Sequence, residues 1–241
     1  MREIRGAQGS DQWLRARIGR ITASRISDVM ATLKRGGESA ARRNYKMELT
    51  AERLTRRAAD HYVSYEMQRG SEKESDAKML YEMATGTMLE PVGFVLHPEL
   101  DFTGASPDAL IGEAGVLEVK CPKTETFLEW LDTRQVPEDY ICQMQWEMAC
   151  TGRQFAHFFA FDDRLPAGHQ HIVIEVPRNE EMIQRITGEV VRLNTEIEEF
   201  IARNGYPPTQ WTVELAEDSP EEDEGDYLDS LTSAVAGEFI P

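Results

Sequence analysis

A chain of 241 residues suits one domain with a full core and a short appendage, and two large independent domains would be cramped. It holds no run of about 18 apolar residues, and its start, MREIRGAQGSDQW, lacks the apolar stretch of a secretory signal, so a soluble cytoplasmic protein with no membrane partner is expected. The formal net charge of −17 argues at first against a nucleic-acid partner, but residues 1 to 60 carry 14 Lys/Arg against 7 Asp/Glu, whereas residues 214 to 241 carry 10 acids and no base.

In chain order, Trp13 to Lys34 reads as a loop leading into a helix that carries Ile26, Val29, Met30 and Leu33, with Thr22 or Ser24 placed to cap it. A second helix spans Asn44 to about Ala59. A third runs from about Glu72 to Thr85 and stops at Gly86. The period then changes. Val92 to Leu96, Phe102 to Ala105, Ala109 to Ile111 and Val116 to Lys120 are short apolar runs broken by Gly and Pro, as strands are. Helices are expected at Thr124 to Asp132 and Glu138 to about Cys150, and strands at Phe155 to Phe161 and His171 to Val176. A last amphipathic helix, about Glu180 to Ala202, spaces Ile183, Ile186, Val190, Leu193, Ile197 and Phe200 at helical period. The fold class is α/β, a central mixed β-sheet flanked by helices. Residues 1–213 form a single domain and 214–241 an acidic, flexible tail, for which a solubilising role competes with DNA mimicry or docking of a basic partner.

Chemistry concentrates in SPDALIGEAGVLEVKCP, residues 106 to 122. Strand alternation points Glu118 and Lys120 to one face and Leu117 and Val119 to the core. A turn over Gly112 to Gly115, centred between residues 113 and 114, brings Asp108 nearly opposite Glu118. Asp108, Glu118 and Lys120 then converge: two carboxylates offer hard oxygen ligands for Mg²⁺, and the ammonium can act on a water or on charge developing at phosphorus. Cys121, Cys142 and Cys150 are odd in number, lack C-x-x-C pairing and suggest neither disulfides nor zinc. None of the five histidines has metal-ligand spacing.

An Asp followed by E-x-K is the signature of the PD-(D/E)XK nuclease superfamily. The neighbouring blocks RIGRITASRISDVMA, RGSEKESDAKMLYEMATG, GASPDAL, LEVKCP and YICQMQWEMACTG resemble, in order, those of lambda exonuclease and the YqaJ-type viral recombinases, from about Gln12 to Gly152. Ala109 departs from the Gly often found after the Asp. The resemblance implies a Mg²⁺-dependent exodeoxyribonuclease of the PD-(D/E)XK fold, with Mn²⁺ able to substitute. It would digest double-stranded DNA ends bearing a 5′ phosphate in the 5′ to 3′ direction, release mononucleotides and leave 3′ single strands for recombination. It further implies a homotrimer ring and a single-strand annealing protein as partner.

By the same resemblance Asp108, Glu118 and the Val119 backbone carbonyl bind metal, Lys120 acts on the attacking water, and Glu74 contacts a second metal or its water. Arg17, Ser24, Ser106 and Gln143 form the 5′-phosphate pocket, which fits the bidentate grip of a guanidinium on phosphate. Each has a plainer alternative. Glu74 is also a first-turn acid favoured by the helix dipole, Arg17 a surface charge, Ser24 a helix cap, Ser106 a turn former, and Gln143 a polar spot shared with Gln145. Trp13 and Trp146 are read as packing groups. Two other readings stand beside the exonuclease: a restriction-type or Cas4-like nuclease, the latter normally needing four cysteines, and a catalytically silent DNA-binding module. The silent module has no need for three clustered charges.

Overall fold

A computed structural model describes residues 1–4, 6–32, 37–59 and 65–211, so Leu33 and the acidic segment 214–241 lie outside the described residues. The elements run β1 (Arg2–Ile4), α1 (Asp11–Arg17), β2 (Ile21–Thr22), α2 (Ile26–Met30), α3 (Ala40–Thr55), α4 (Tyr65–Thr85), β3 (Leu89–Glu90), β4 (Phe94–Leu96), β5 (Thr103–Ala105), β6 (Ala109–Ile111) and β7 (Gly115–Lys120). They continue with α5 (Thr124–Thr133), α6 (Glu138–Thr151), β8 (Phe155–Phe161), β9 (His171–Pro177) and α7 (Glu180–Arg203). No helix among the described residues is long and apolar enough to cross a membrane.

Among the described residues the strands divide into two sheets. One has the order β1-β4-β5-β2 and the other β3-β6-β7-β8-β9. The chain changes sheet between Ala105 and Ala109, at Ser106-Pro107-Asp108, where proline supplies no donor for a continuing ladder. The second sheet is mixed: β7, at its centre, pairs antiparallel with β6 and parallel with β8. Its hairpin register sets Ala109 against Leu117 and Ile111 against Gly115, so the turn centres on Glu113, half a residue earlier than expected. Gly112 takes the positive φ of +49° that this tight turn needs. Continued by one pair, the register puts Asp108 opposite Glu118.

Strand β7 is covered on both faces. Leu117 and Val119 pack with Ala77 and Tyr81 of α4 and with Phe159, while Val116 joins the larger core beneath α6. Helix α6 is buried over most of its length, and its Trp146 is fully enclosed, its indole N–H donating to Thr103 Oγ1 at 3.0 Å. Packing is therefore the role of Trp146. Helix α7 buries Ile183, Ile186, Val190, Leu193, Ile197 and Ile201. The stripe closes on Ile201 instead of Phe200, because the last step along this face is four residues and not three. Each such side chain contributes about 1.5–3 kcal/mol by leaving water. The seam between α3 and α7 is polar as well: Glu196 receives Arg42 Nη1 at 2.8 Å and Lys46 Nζ at 3.0 Å.

The helices correct the sequence expectations in four places, the first being α3, which spans Ala40–Thr55 instead of Asn44 to about Ala59 and is started by the Ser39 side chain accepting from the Arg42 N–H. Residues 11–17 are a helix and not a loop, started by the Ser10 side chain accepting from the Trp13 N–H at 3.2 Å. Neither Thr22 nor Ser24 caps α2: their hydroxyls lie 3.3 Å apart, and the residue at the cap position is Arg25, without a side-chain cap. Helix α4 begins at Tyr65 instead of Glu72 and ends as expected at Gly86, whose φ of +70° forms the left-handed stop. Glu74 is thus well inside the helix, and the first-turn dipole reading of it fails.

Candidate active site

Strand β7 presents Glu118 and Lys120 to the underside of α6. Glu118 is 2% exposed, and its Oε1 accepts from Gln143 Nε2 at 2.7 Å and from the Lys120 ammonium. Its other oxygen, Oε2, is buried without a hydrogen-bond partner. Lys120 Nζ also lies 4.9 Å from the centre of the Tyr140 ring. Burial acts against this ammonium, but Glu118 and then Asp108 outweigh it and hold the Lys120 pKa above the ordinary lysine value.

Asp108 enters from the start of β6. Its N–H donates to Leu117 O at 3.0 Å, and its Oδ2 accepts from the Val119 N–H at 2.6 Å, which fixes the carboxylate on the neighbouring strand. Desolvation, and then the charge of Glu118, push the Asp108 pKa well above its usual value; Glu74 adds in the same sense. Glu74 is partly exposed and accepts from Lys78 Nζ at 2.5 Å, one turn along α4. Val119, whose N–H holds Asp108, directly follows Glu118 on β7.

Glu147, which sequence reasoning missed, belongs to the same cluster. It is fully buried on α6, its Oε1 accepts from Gln143 Nε2 at 2.9 Å, and its Oε2 has no partner. Desolvation and the nearby Glu118 raise its pKa well above the carboxylate range. The available signal was spacing: Gln143 and Glu147 are i and i+4 polar residues on a helix otherwise buried against apolar groups.

A second group lies beside Asp108. The Ser106 hydroxyl receives the Trp13 indole N–H at 2.9 Å and Arg17 Nη1 at 3.3 Å. The Arg17 guanidinium stands 4.3 Å over the Trp13 ring, and no carboxylate among the described residues pairs with it. Burial lowers its pKa from the ordinary arginine value. Trp13, read from sequence as packing, is therefore also a floor for Arg17. Ser24 is exposed and bonds Thr22, with no hydrogen bond to Arg17 or Ser106, and the Gln143 amide is turned to Glu118 and Glu147. Of the four expected phosphate-pocket residues, Arg17 and Ser106 are in direct contact.

Beside Asp108 opens a cleft of about 670 Å³, lined by Glu74, Lys78 and Glu82 of α4, by Leu89, Pro91 and Val92, and by Gln8. Among the described residues no three Asp, Glu, His or Cys side chains are gathered tightly enough to hold a metal by themselves. Two carboxylates nevertheless suit a Mg²⁺ site, because this ion keeps several of its waters and is commonly held by only one or two carboxylates. The orphaned Glu118 oxygen and the like-charge strain on Asp108 are what a cation would relieve.

The chain matches the YqaJ-like viral recombinase domain over residues 12–154. It belongs to the YqaJ-like viral recombinase family. Among solved structures it is similar to the alkaline exonuclease LHK-Exo from Laribacter hongkongensis, with 39% identity and a TM-score of 0.75, over 81% of this chain and 97% of that one. LHK-Exo in complex with dAMP matches at 39% identity and a TM-score of 0.74, over 81% and 98% of the two chains. A phage-related exonuclease from Haemophilus somnus 129PT shares the fold, at 15% identity and a TM-score of 0.62, over 77% of this chain and 96% of that one. A comparison with curated proteins finds no match. This member of the YqaJ-like family is accordingly a nuclease, an enzyme that hydrolyses DNA phosphodiester bonds.

Proposed function

We propose that this nuclease uses Mg²⁺, replaceable by Mn²⁺, to digest double-stranded DNA from the 5′ end, releasing mononucleotides and leaving a 3′ single strand. One observation carries the reading: Asp108 and Glu118 lie together beside the Lys120 ammonium, and Glu118 keeps a buried oxygen without a partner. Such a pair is costly in apolar surroundings unless a cation offsets it.

Asp108, Glu118 and the Val119 carbonyl hold the ion in this scheme, and Glu74 reaches a second ion or its water. A bound Mg²⁺ supplies an acidified water and offsets charge on the phosphate. Lys120, kept protonated by its two acidic neighbours, orients that water and steadies charge building on the phosphate oxygens. Arg17 and Ser106 grip the terminal 5′ phosphate, and Ser24 supplies an outer hydroxyl. Gln143 contributes by holding Glu118 in place, since joining the pocket would take its amide away from both acids. The LHK-Exo complex with dAMP contains a mononucleotide of the kind this reaction releases. The family resemblance extends the proposal to a homotrimeric ring around the duplex, acting in the cytoplasm, and to a single-strand annealing protein that takes the exposed strand.

The test is a duplex labelled at either end of one strand and incubated with Mg²⁺ or EDTA. Expected is early release of the 5′ label as mononucleotide with Mg²⁺ and no digestion with EDTA. Early loss of the 3′ label, or internal cuts, would refute the stated polarity.

A further inference from the structure

We infer that Asp163, just past the end of β8, is a positioning residue for the nuclease reaction: it ties the stretch of α4 that carries Glu74 to the exit of β7. The inference rests on the reading of Glu74 as reaching a second ion or its water, and adds what holds Glu74 there.

Packing does not fix this part of α4. None of residues 68–76 is buried, and the first buried residue after them is Ala77, which with Tyr81 packs against Leu117 and Val119 of β7. Glu74 therefore stands on a stretch that apolar burial leaves unanchored. Charge takes over here. Asp163 accepts from Arg69 Nη2 through Oδ1 and pairs through Oδ2 with Lys73 Nζ at 2.9 Å, so one carboxylate holds two cations a turn apart, the second directly before Glu74. The Arg69 side chain is only 11% exposed, which sets this tie apart from the weak pairs of an open surface. Without Asp163 its remaining acid is Asp162 at 3.6 Å, already committed to Thr124 and Arg164.

The same turn holds β7. Asp162 is fully buried and accepts from Thr124 Oγ1 and from Arg164 Nε, each at 2.6 Å, while Arg164 Nη2 donates to Pro122 O at 2.7 Å. Pro122 and Thr124 follow closely on Lys120. Residues 162–164 thus join α4 beside Glu74 to the chain just beyond Lys120. Cys121 lies amid these groups, for the charges of Arg69, Glu74, Asp108 and Asp163 all reach its thiol. Groups that orient a metal's ligands without touching the metal commonly carry about 10–100-fold in metal affinity or activity.

The experiment titrates the full chain with Mn²⁺ in the absence of DNA, reading the free ion by electron paramagnetic resonance. It is set beside the Mn²⁺ dependence of 5′ cleavage for wild type, Asp163→Asn, Glu74→Ala and the double variant. Asp163→Asn keeps the shape of the side chain and removes its charge. It is expected to loosen the weaker-bound ion by about ten-fold and to raise the Mn²⁺ needed for half-maximal cleavage equally, with KM for the duplex unchanged. Added to Glu74→Ala, the same change should have no further effect, because it acts through that acid. Unchanged Mn²⁺ binding in Asp163→Asn, whatever happens to its melting midpoint, would overturn the inference alone, as would a further loss in the double variant. If Glu74→Ala binds Mn²⁺ as wild type does, the role of Glu74 falls and the inference with it.

Discussion

Replacing Arg17 by alanine removes the guanidinium that contacts Ser106, and the consequence can be worked from its surroundings. Two charge-assisted hydrogen bonds from a guanidinium to a phosphate, at about 1.5 kcal/mol each, amount to about 3 kcal/mol. That is roughly 100-fold in kcat/KM. The lost contact with the Trp13 ring, 4.3 Å away, costs folding about 1 kcal/mol, too little to unfold a domain of this size. The assay compares kcat/KM for duplexes with a 5′ phosphate or a 5′ hydroxyl, in wild type and Arg17→Ala. The variant should lose roughly 100-fold on the phosphorylated end and little on the hydroxyl end. An equal fall on both ends, or on neither, would refute a phosphate-gripping role.

Lys120→Met keeps the length of the side chain and removes its charge; single-turnover cleavage should fall by about 10²–10³-fold while duplex binding, read by gel shift, persists. Glu196, held at about 2 by Arg42 and Lys46, gives a pH prediction. Its folded pKa lies below the unfolded one, so its stabilisation is present above the ordinary carboxylate value and is lost as pH falls from about 4.5 towards 2. Thermal melts at pH 6 and pH 3 should show wild type losing roughly 2 kcal/mol more than Glu196→Gln, and parallel losses would contradict the seam. Burial and the neighbouring Glu118 push the Glu147 pKa up, so the uncharged Glu147→Gln should leave the melting midpoint within a few degrees of wild type, and a large fall would contradict this.

The readable part of the sequence was the part set by local rules. Alternation in LEVK and the glycines of the turn placed Asp108, Glu118 and Lys120 together, and the period of residues 183 to 197 marked the buried stripe of α7. Gly86 stopped α4 as its type requires. What escaped depended on tertiary contacts. The first turns of α4 are polar and contain Gly70, so periodicity did not extend the helix back to Tyr65. Helix α1 is only seven residues long and is carried by its Ser10 cap and its contacts with β4. Glu147 and the bridging Gln143 looked like ordinary polar positions until α6 was laid across β7. The split into two sheets followed from pairing choices at Ser106-Pro107-Asp108 that no single strand announces.

Everything chemical here depends on a divalent ion resting against both carboxylates of the β6–β7 hairpin. Crystals grown with Mn²⁺ and a short 5′-phosphorylated duplex, with diffraction recorded at the manganese edge, test this most directly. Anomalous density is expected about 2.0–2.6 Å from oxygens of Asp108 and Glu118 and close to the Val119 carbonyl. Density only elsewhere on the molecule, with these two carboxylates unliganded beside bound DNA, would contradict it.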